Sequence, residues 1–204
     1  MATINHYRQT RFLLGVTDPC RAPPDSGAEV AFAGRSNAGK SSALNVITEQ
    51  RALARISKAP GRTREINFFR VSDDRRLVDL PGYGYARVSK AIQARWQQHI
   101  DRYLETRASL CGLVLLMDVR HPMNAHDRQI LGWCRTAALP THVLLTKADK
   151  LKHGPAKSTL LQVHRQLQAV HPAATAQLFS AHTREGREEV QAVLDRWLGL
   201  TEDL

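Results

Sequence analysis

One loop constrains this chain more than any other feature: Gly34-Arg35-Ser36-Asn37-Ala38-Gly39-Lys40-Ser41 stands directly behind the apolar segment Ala28 to Ala33 and before the helix-like Ser42 to Ile47. Strand, G-x-x-x-x-G-K-S loop and helix, in that order, let the backbone fold around a polyphosphate. Successive N–H groups and the helix N-terminus then point at negative charge. Lys40 is expected to reach the β- and γ-phosphates, and the Ser41 hydroxyl to ligate Mg²⁺. Such a loop belongs at the carboxyl end of a strand in an open α/β sheet.

The rest of the chain alternates in the manner such a sheet needs. Strands are predicted at Glu29 to Ala33, Ile66 to Val71, Arg76 to Leu80, Gly112 to Asp118, His142 to Thr146 and Thr175 to Ser180. The second and third are joined across Ser72-Asp73-Asp74-Arg75, short enough for an antiparallel hairpin. Helix-length segments separate the others and imply parallel crossovers. Ile92, Trp96, Ile100 and Leu104 recur every four residues, while Leu160, Val163, Leu167 and Val170 alternate threes and fours. Val190, Val193, Leu194, Trp197 and Leu198 form a last apolar stripe, and all three stripes read as core faces. Residues 1–28 read as an N-terminal arm that docks through His6-Tyr7-Arg8 and Arg11 to Leu14, and residues 29–204 as one domain.

Three further segments carry chemistry. Asp79-Leu80-Pro81-Gly82 ends the third predicted strand, where Asp79 is expected to hold Mg²⁺ through water and the Gly82 N–H to sense a γ-phosphate. Thr146-Lys147-Ala148-Asp149 ends another strand. An ionised Asp149 accepts from both N1–H and N2–H₂ of guanine, which adenine cannot offer, so GTP is favoured over ATP. Lys147 is expected to lay its stem along the base, and Phe179-Ser180-Ala181 to offer a backbone N–H to guanine O6. Between the glycine loop and the hairpin lies a basic, breaker-rich stretch containing Gly61, Arg62, Thr63, Arg64 and Glu65. Thr63 there is placed to add its hydroxyl to Mg²⁺ when the γ-phosphate is present.

Composition bounds the setting. With 29 Lys and Arg against 19 Asp and Glu, the formal charge of +10 favours polyanion partners, and an RNA surface is the functional reading. Cys20, Cys111 and Cys134 are odd in number and form no C-x-x-C pair, so reduced thiols are expected. No run approaches the roughly 18 apolar residues of a membrane span, and Met1 to Gly15 has no signal-peptide pattern, so a cytoplasmic protein is expected.

The wording of the motifs narrows this reading. GRSNAGKSS, PGRT, DLPGYGYA, MDVRHP and LLTKADK resemble the EngB (YihA/YsxC) family of ribosome-biogenesis GTPases from about Glu29 to Leu198. The resemblance implies a Ras-like P-loop domain, with a six-stranded, mostly parallel sheet, one antiparallel edge strand and helices on both faces. It also implies a Mg²⁺-dependent GTP/GDP switch that assists large-subunit assembly and is needed for cell division and septation. The implied partners are the large-subunit precursor and its rRNA, with a monomeric protein and no membrane or DNA partner. Arg62 and Arg64 are open to either rRNA phosphates or GTP. Tyr83 follows Gly82 where many GTPases carry a water-orienting glutamine, so intrinsic turnover is expected to be slow. Asn37 stands where similar potassium-activated GTPases help hold K⁺ against the phosphates. Asp118 and Arg120 are expected to tie the following helix to the sheet or switch region. The competing readings are a P-loop nucleotide kinase or other ATP phosphotransferase, and a nucleotide-binding module without turnover.

Overall fold

The computed structural model describes residues 6–54, 65–83, 98 and 100–200. Seven strands form one sheet: β1 (Arg11–Val16), β2 (Ala28–Gly34), β3 (Ile66–Arg70), β4 (Arg75–Asp79), β5 (Leu110–Asp118), β6 (Thr141–Thr146) and β7 (Thr175–Leu178). Their order is β1-β3-β4-β2-β5-β6-β7. β2 pairs in parallel with β4 and β5, and the parallel run continues through β6 to β7. β3 is antiparallel to both β4 and β1, so it alone runs against the rest.

The sheet therefore has one strand more than the sequence pattern predicts, and the reversed strand lies next to the edge rather than at it. The added edge strand, β1, falls within the stretch read as an arm. Its residues do not alternate: the first three are exposed, Phe12 by 55 %, and a register shift interrupts the ladder between Phe12 and Leu14. What makes it a strand is pairing with β3, from Arg11↔Arg70 to Val16↔Ile66. That non-local contact leaves no periodic trace in the sequence.

The helices are α1 (Lys40–Ile47), a stretch α2 seen at 100–106, α3 (Ala125–Thr136), α4 (His153–Val170) and α5 (Arg187–Leu198). The apolar faces divide them. Leu131 and Cys134 of α3, Val163 and Leu167 of α4 and Tyr103 of α2 pack on one side of the sheet, with Leu113, Leu115, Val143 and Leu145 beneath them. Leu44 and Ile47 of α1 and Val190 and Leu194 of α5 cover the other side, over Val30, Phe32 and Val114. Trp197 lies against Gly112 of β5, as a packing residue; Trp96 and Ile92 lie outside the described residues. No described helix is long and apolar enough to cross a membrane.

This topology positions the loop. After β4 the chain passes to β5 on the other side of β2, and a crevice opens where neighbouring connections leave in opposite directions at the carboxyl ends of the strands. β2 delivers residues 34–41 to that point. At its opposite end Glu29 is fully buried, bonded to Arg76, Arg107 and the Tyr103 hydroxyl.

Candidate nucleotide-binding site

Close backbone approach dictates one of the loop's glycines and a left-handed turn the other. A Cβ on Gly34 would stand 2.9 Å from the Leu116 carbonyl oxygen of β5. Gly39, at φ 93°, is the left-handed residue that opens α1, and Asn37, at φ 63°, is a second left-handed position. The N–H groups of Gly39, Lys40 and Ser41 bond to no backbone carbonyl among the described residues. They are the orphan donors of a helix N-terminus. Arg35 and Asn37 are exposed, Ser36 half-buried and Ala38 buried. The cradle therefore presents donors on one side and an apolar anchor on the other.

The Asp79-Leu80-Pro81-Gly82 segment is laced to this loop. Lys40 Nζ forms an ion pair with Asp79 Oδ1. Tyr83 closes an isolated bridge with Arg35, its carbonyl accepting from Ser36 N–H at 3.0 Å. A Cβ on Gly82 would lie 3.2 Å from the Ser36 backbone, so glycine is what lets the segments approach. The Tyr83 hydroxyl donates to Asp127 Oδ1 at 2.8 Å, and its ring stacks on His126. Asp127 is buried as half of the Asn124–Asp127 capping box that opens α3, and burial pushes its carboxyl above the usual range.

The third corner is Thr146 to Asp149. Thr146 is buried, and its Oγ1 is 2.6 Å from the Ala38 carbonyl oxygen and 3.1 Å from that of Met117. Lys147, left-handed at φ 59°, donates from Nζ to the Asn37 carbonyl at 2.7 Å and pairs with Asp118 at 3.0 Å. Asp118 also receives Nε and Nη2 of Arg120, at 2.9 and 2.6 Å, and these bonds hold its carboxyl well below the ordinary carboxylate range. Asp118 and Arg120 thus serve Lys147 and, through it, the phosphate loop; of the expectation that they tie the following helix to the sheet or switch region, a side-chain bond to α3 is not found among the described residues. Sequence reasoning gave Asp127 no role at all. Its signal was the N-x-x-D spacing of a capping box.

Asp149 accepts from the Ser180 hydroxyl at 2.6 Å and pairs with Lys150 at 3.2 Å. The Ser180 bond, ahead of the Lys150 charge, lowers its pKa and keeps the carboxylate ionised. The Phe179 N–H is spent on Leu145 and the Ser180 N–H on Glu185, and the Ala148 N–H bonds the Phe179 carbonyl. Of the Phe179-Ser180-Ala181 trio, only Ala181 keeps an N–H without a partner among the described residues.

The structure thus brings residues 34–41, 79–82, 146–149 and 179–181 to one end of the sheet. Gly61, Arg62, Thr63 and Arg64 lie outside the described residues, and Glu65 reaches Gly15 of β1. The donor set suits Mg²⁺: a Ser41 hydroxyl and a nearby Asp79 carboxylate leave most positions to phosphate oxygens and water, the habit of this ion. No three-carboxylate or histidine cage stands among the described residues.

Comparison with known proteins agrees with this geometry. The model of a family described as 50S ribosome-binding GTPase matches residues 29–147. Among curated proteins, a probable GTP-binding protein EngB of Coxiella burnetii is 50 % identical over 191 residues, covering 94 % of this chain and 93 % of that one. The protein of the same name from Hydrogenovibrio crunogenus is 52 % identical over 192 residues, covering 94 % and 91 %. Among solved structures, a probable GTP-binding protein engB superposes with a TM-score of 0.68 at 23 % identity, over 85 % of this chain and 100 % of that one. Aquifex aeolicus Era bound to GDP and AlF₄⁻ gives 0.67 at 18 % identity, over 88 % and 58 %; these two likenesses speak for the fold.

Proposed function

We propose, from the premise that this chain belongs to the EngB family of GTP-binding proteins, that it is a slow, Mg²⁺-dependent GTP/GDP switch acting on a precursor of the large ribosomal subunit. The observation that carries the guanine part is the ionised Asp149, fixed by Ser180 and sharing one end of the sheet with the phosphate loop. Its two oxygens match guanine N1–H and N2–H₂, and the unspent Ala181 N–H suits O6.

Lys40 supports a two-state reading. Paired with Asp79 in the structure, it is released when phosphates offer it a better partner, and Asp79 is then free to order the water shell of Mg²⁺. Bound Mg²⁺ supplies charge neutralisation at the phosphate oxygens. Ser41 and Thr63 are the proposed hydroxyl ligands, and Gly82 the γ-phosphate sensor. Thr63, with Gly61, Arg62, Arg64 and Glu65, forms the nucleotide-responsive loop of this reading.

Slow hydrolysis follows from Tyr83. Its hydroxyl is committed to Asp127, so no side chain at this position is left to orient the attacking water. The exposed Asn37 is the proposed K⁺ contact: its backbone carbonyl is held by Lys147 and its side chain lies at the surface of the loop. Equal hydrolysis rates in NaCl and KCl would remove the potassium role.

In this reading the protein works in the cytoplasm as a monomer. The GTP and GDP states differ in affinity for the precursor particle and its rRNA, and failure of that step surfaces as defective division and septation. Co-sedimentation with large-subunit particles tests it: binding is expected with a non-hydrolysable GTP analogue and is expected to weaken in GDP. Binding that ignores the nucleotide contradicts the switch.

A further inference from the structure

The positive charge of this protein is not spread evenly. Residues 119–184 contain nine Lys and Arg and only two carboxylates, Asp127 and Asp149. Neither is available to an outside cation, since Asp127 is buried under Tyr83 and Asp149 is held by Ser180 and Lys150. The 18 residues of α4 include no acid. Arg128, Arg135, Lys152, Lys157 and Arg165 are exposed and form no ion pair among the described residues. Arg128 reaches from α3 to Gln166 of α4 at 2.5 Å and joins the two helices into one surface.

The opposite face is different. There Arg187 is paired with Glu49 and Glu188, and Glu189 is exposed beside them. Asp101 and Glu105 of α2 share a cavity wall with His126 and Gln129, so the basic surface starts at Arg128 and extends across α4, away from α2.

We infer that the outer face of α3 and α4 is the surface by which this protein docks on the phosphate backbone of folded RNA. Arg128 and Arg135 are seven residues apart, about 10 Å, and Lys157 and Arg165 eight apart, about 12 Å. α3 and α4 pack side by side, with axes expected about 8–10 Å apart, so these cations line two adjacent helices. Two adjacent helices are too broad to enter a groove as a single helix does, so the pair lies across the backbones. Its other exposed groups are hydroxyl and amide donors, Ser158, Gln162 and Gln168, suited to phosphates and 2′-hydroxyls. The face has no exposed Phe, Tyr or Trp on which a single-stranded base could stack. Leu161 is its one exposed large hydrophobic residue among those described, too little for insertion into a membrane. The choice of RNA among polyanions rests on the proposed ribosomal role, whereas the position of the face does not.

The test compares the wild-type chain with two triple charge reversals of equal net charge: Arg135→Glu, Lys157→Glu, Arg165→Glu on the face, and Arg21→Glu, Arg51→Glu, Arg70→Glu elsewhere. Affinity for an RNA hairpin is measured across a KCl series, with duplex DNA and phosphatidylserine vesicles as parallel probes. The face variant is expected to bind RNA at least about tenfold more weakly, with its log–log salt slope reduced by about two to three, while the other triple stays near wild type. Equal loss in both triples, no loss in either, or a loss confined to vesicles or DNA overturns the inference. GDP titration of all three proteins checks their folding. A wild-type chain that fails to bind GDP defeats the proposed function, and one that binds GDP but loses no RNA affinity on face reversal defeats only this inference.

Discussion

Thr146 carries more of the site's geometry than its size suggests. Its one hydroxyl proton lies between the carbonyls of Ala38 and Met117, so it ties the phosphate loop to the end of β5 from a buried position. Thr146→Val keeps the shape and removes the donor, leaving buried carbonyls short of a partner. The expected cost is about 1–3 kcal/mol, read as a Tm lowered by several degrees for a chain of this size, together with weaker GDP binding in calorimetry. Asp118→Asn acts differently. It releases Lys147 and Arg120 at a half-exposed place where ion pairs contribute little to stability. GDP affinity should fall about fivefold, equivalent to ~1 kcal/mol, with Tm nearly unchanged. A large drop in Tm would show that Asp118 holds the fold instead. For Asp149 the sign is set by its depressed pKa: the carboxylate form is present above the usual carboxyl value and is lost as pH falls through the folded one. The contribution of Asp149 to guanine binding, taken as GDP against a nucleotide with another base, should therefore stay level from pH 8 to about 5 and decline only below about pH 4. Ser180→Ala should move that decline to higher pH, as followed by nucleotide fluorescence.

At the scale of elements, the end of β4 is held from two directions. The Tyr83 backbone pairs with the phosphate loop, while its side chain reaches Asp127 at the start of α3. Gly82 immediately precedes both attachments, and its closeness to the Ser36 backbone leaves little room for a side chain. Any movement of Gly82 toward a γ-phosphate therefore has to strain or break the link to α3. Tyr83→Phe keeps the ring stacked on His126 and removes that link. Stability should drop by about 1–2 kcal/mol, and affinity for a non-hydrolysable GTP analogue should rise relative to GDP. An unchanged ratio of the two affinities would mean the bond to Asp127 serves packing alone.

At the scale of the molecule, the nucleotide end and the opposite end of β2 are stabilised by different means. Far from the glycine loop, Glu29 gathers Arg76, Arg107 and Tyr103, which come from β4, the turn after α2 and α2 itself. Glu29→Ala would leave two guanidiniums buried without their shared partner. Removing one member of such a cluster costs about 3–5 kcal/mol, enough to lower Tm by about 10 °C. GDP affinity measured well below the transition should survive, because the residue stands at the other end of the strand. Net charge is likewise a property of the whole chain, and only folding sorts it into a basic α3–α4 face and a mixed one.

The local chemistry was legible from the chain itself. A glycine loop between strand and helix, D-x-x-G at a strand end and the TKAD quartet are short-range patterns whose backbone demands appear in neighbouring residues, and the structure brings them together. The apolar periods of α4 and α5 were visible for the same reason. Tertiary structure decided what depends on distant partners. β1 is a strand because β3 lies beside it, not because its residues alternate. Asp118 acquires its task when Lys147 arrives from the next strand, and Asp127 when Tyr83 crosses from β4. A periodic pattern records which way a side chain faces, but a hydrogen bond between residues far apart in the chain exists only once the sheet has brought their strands together.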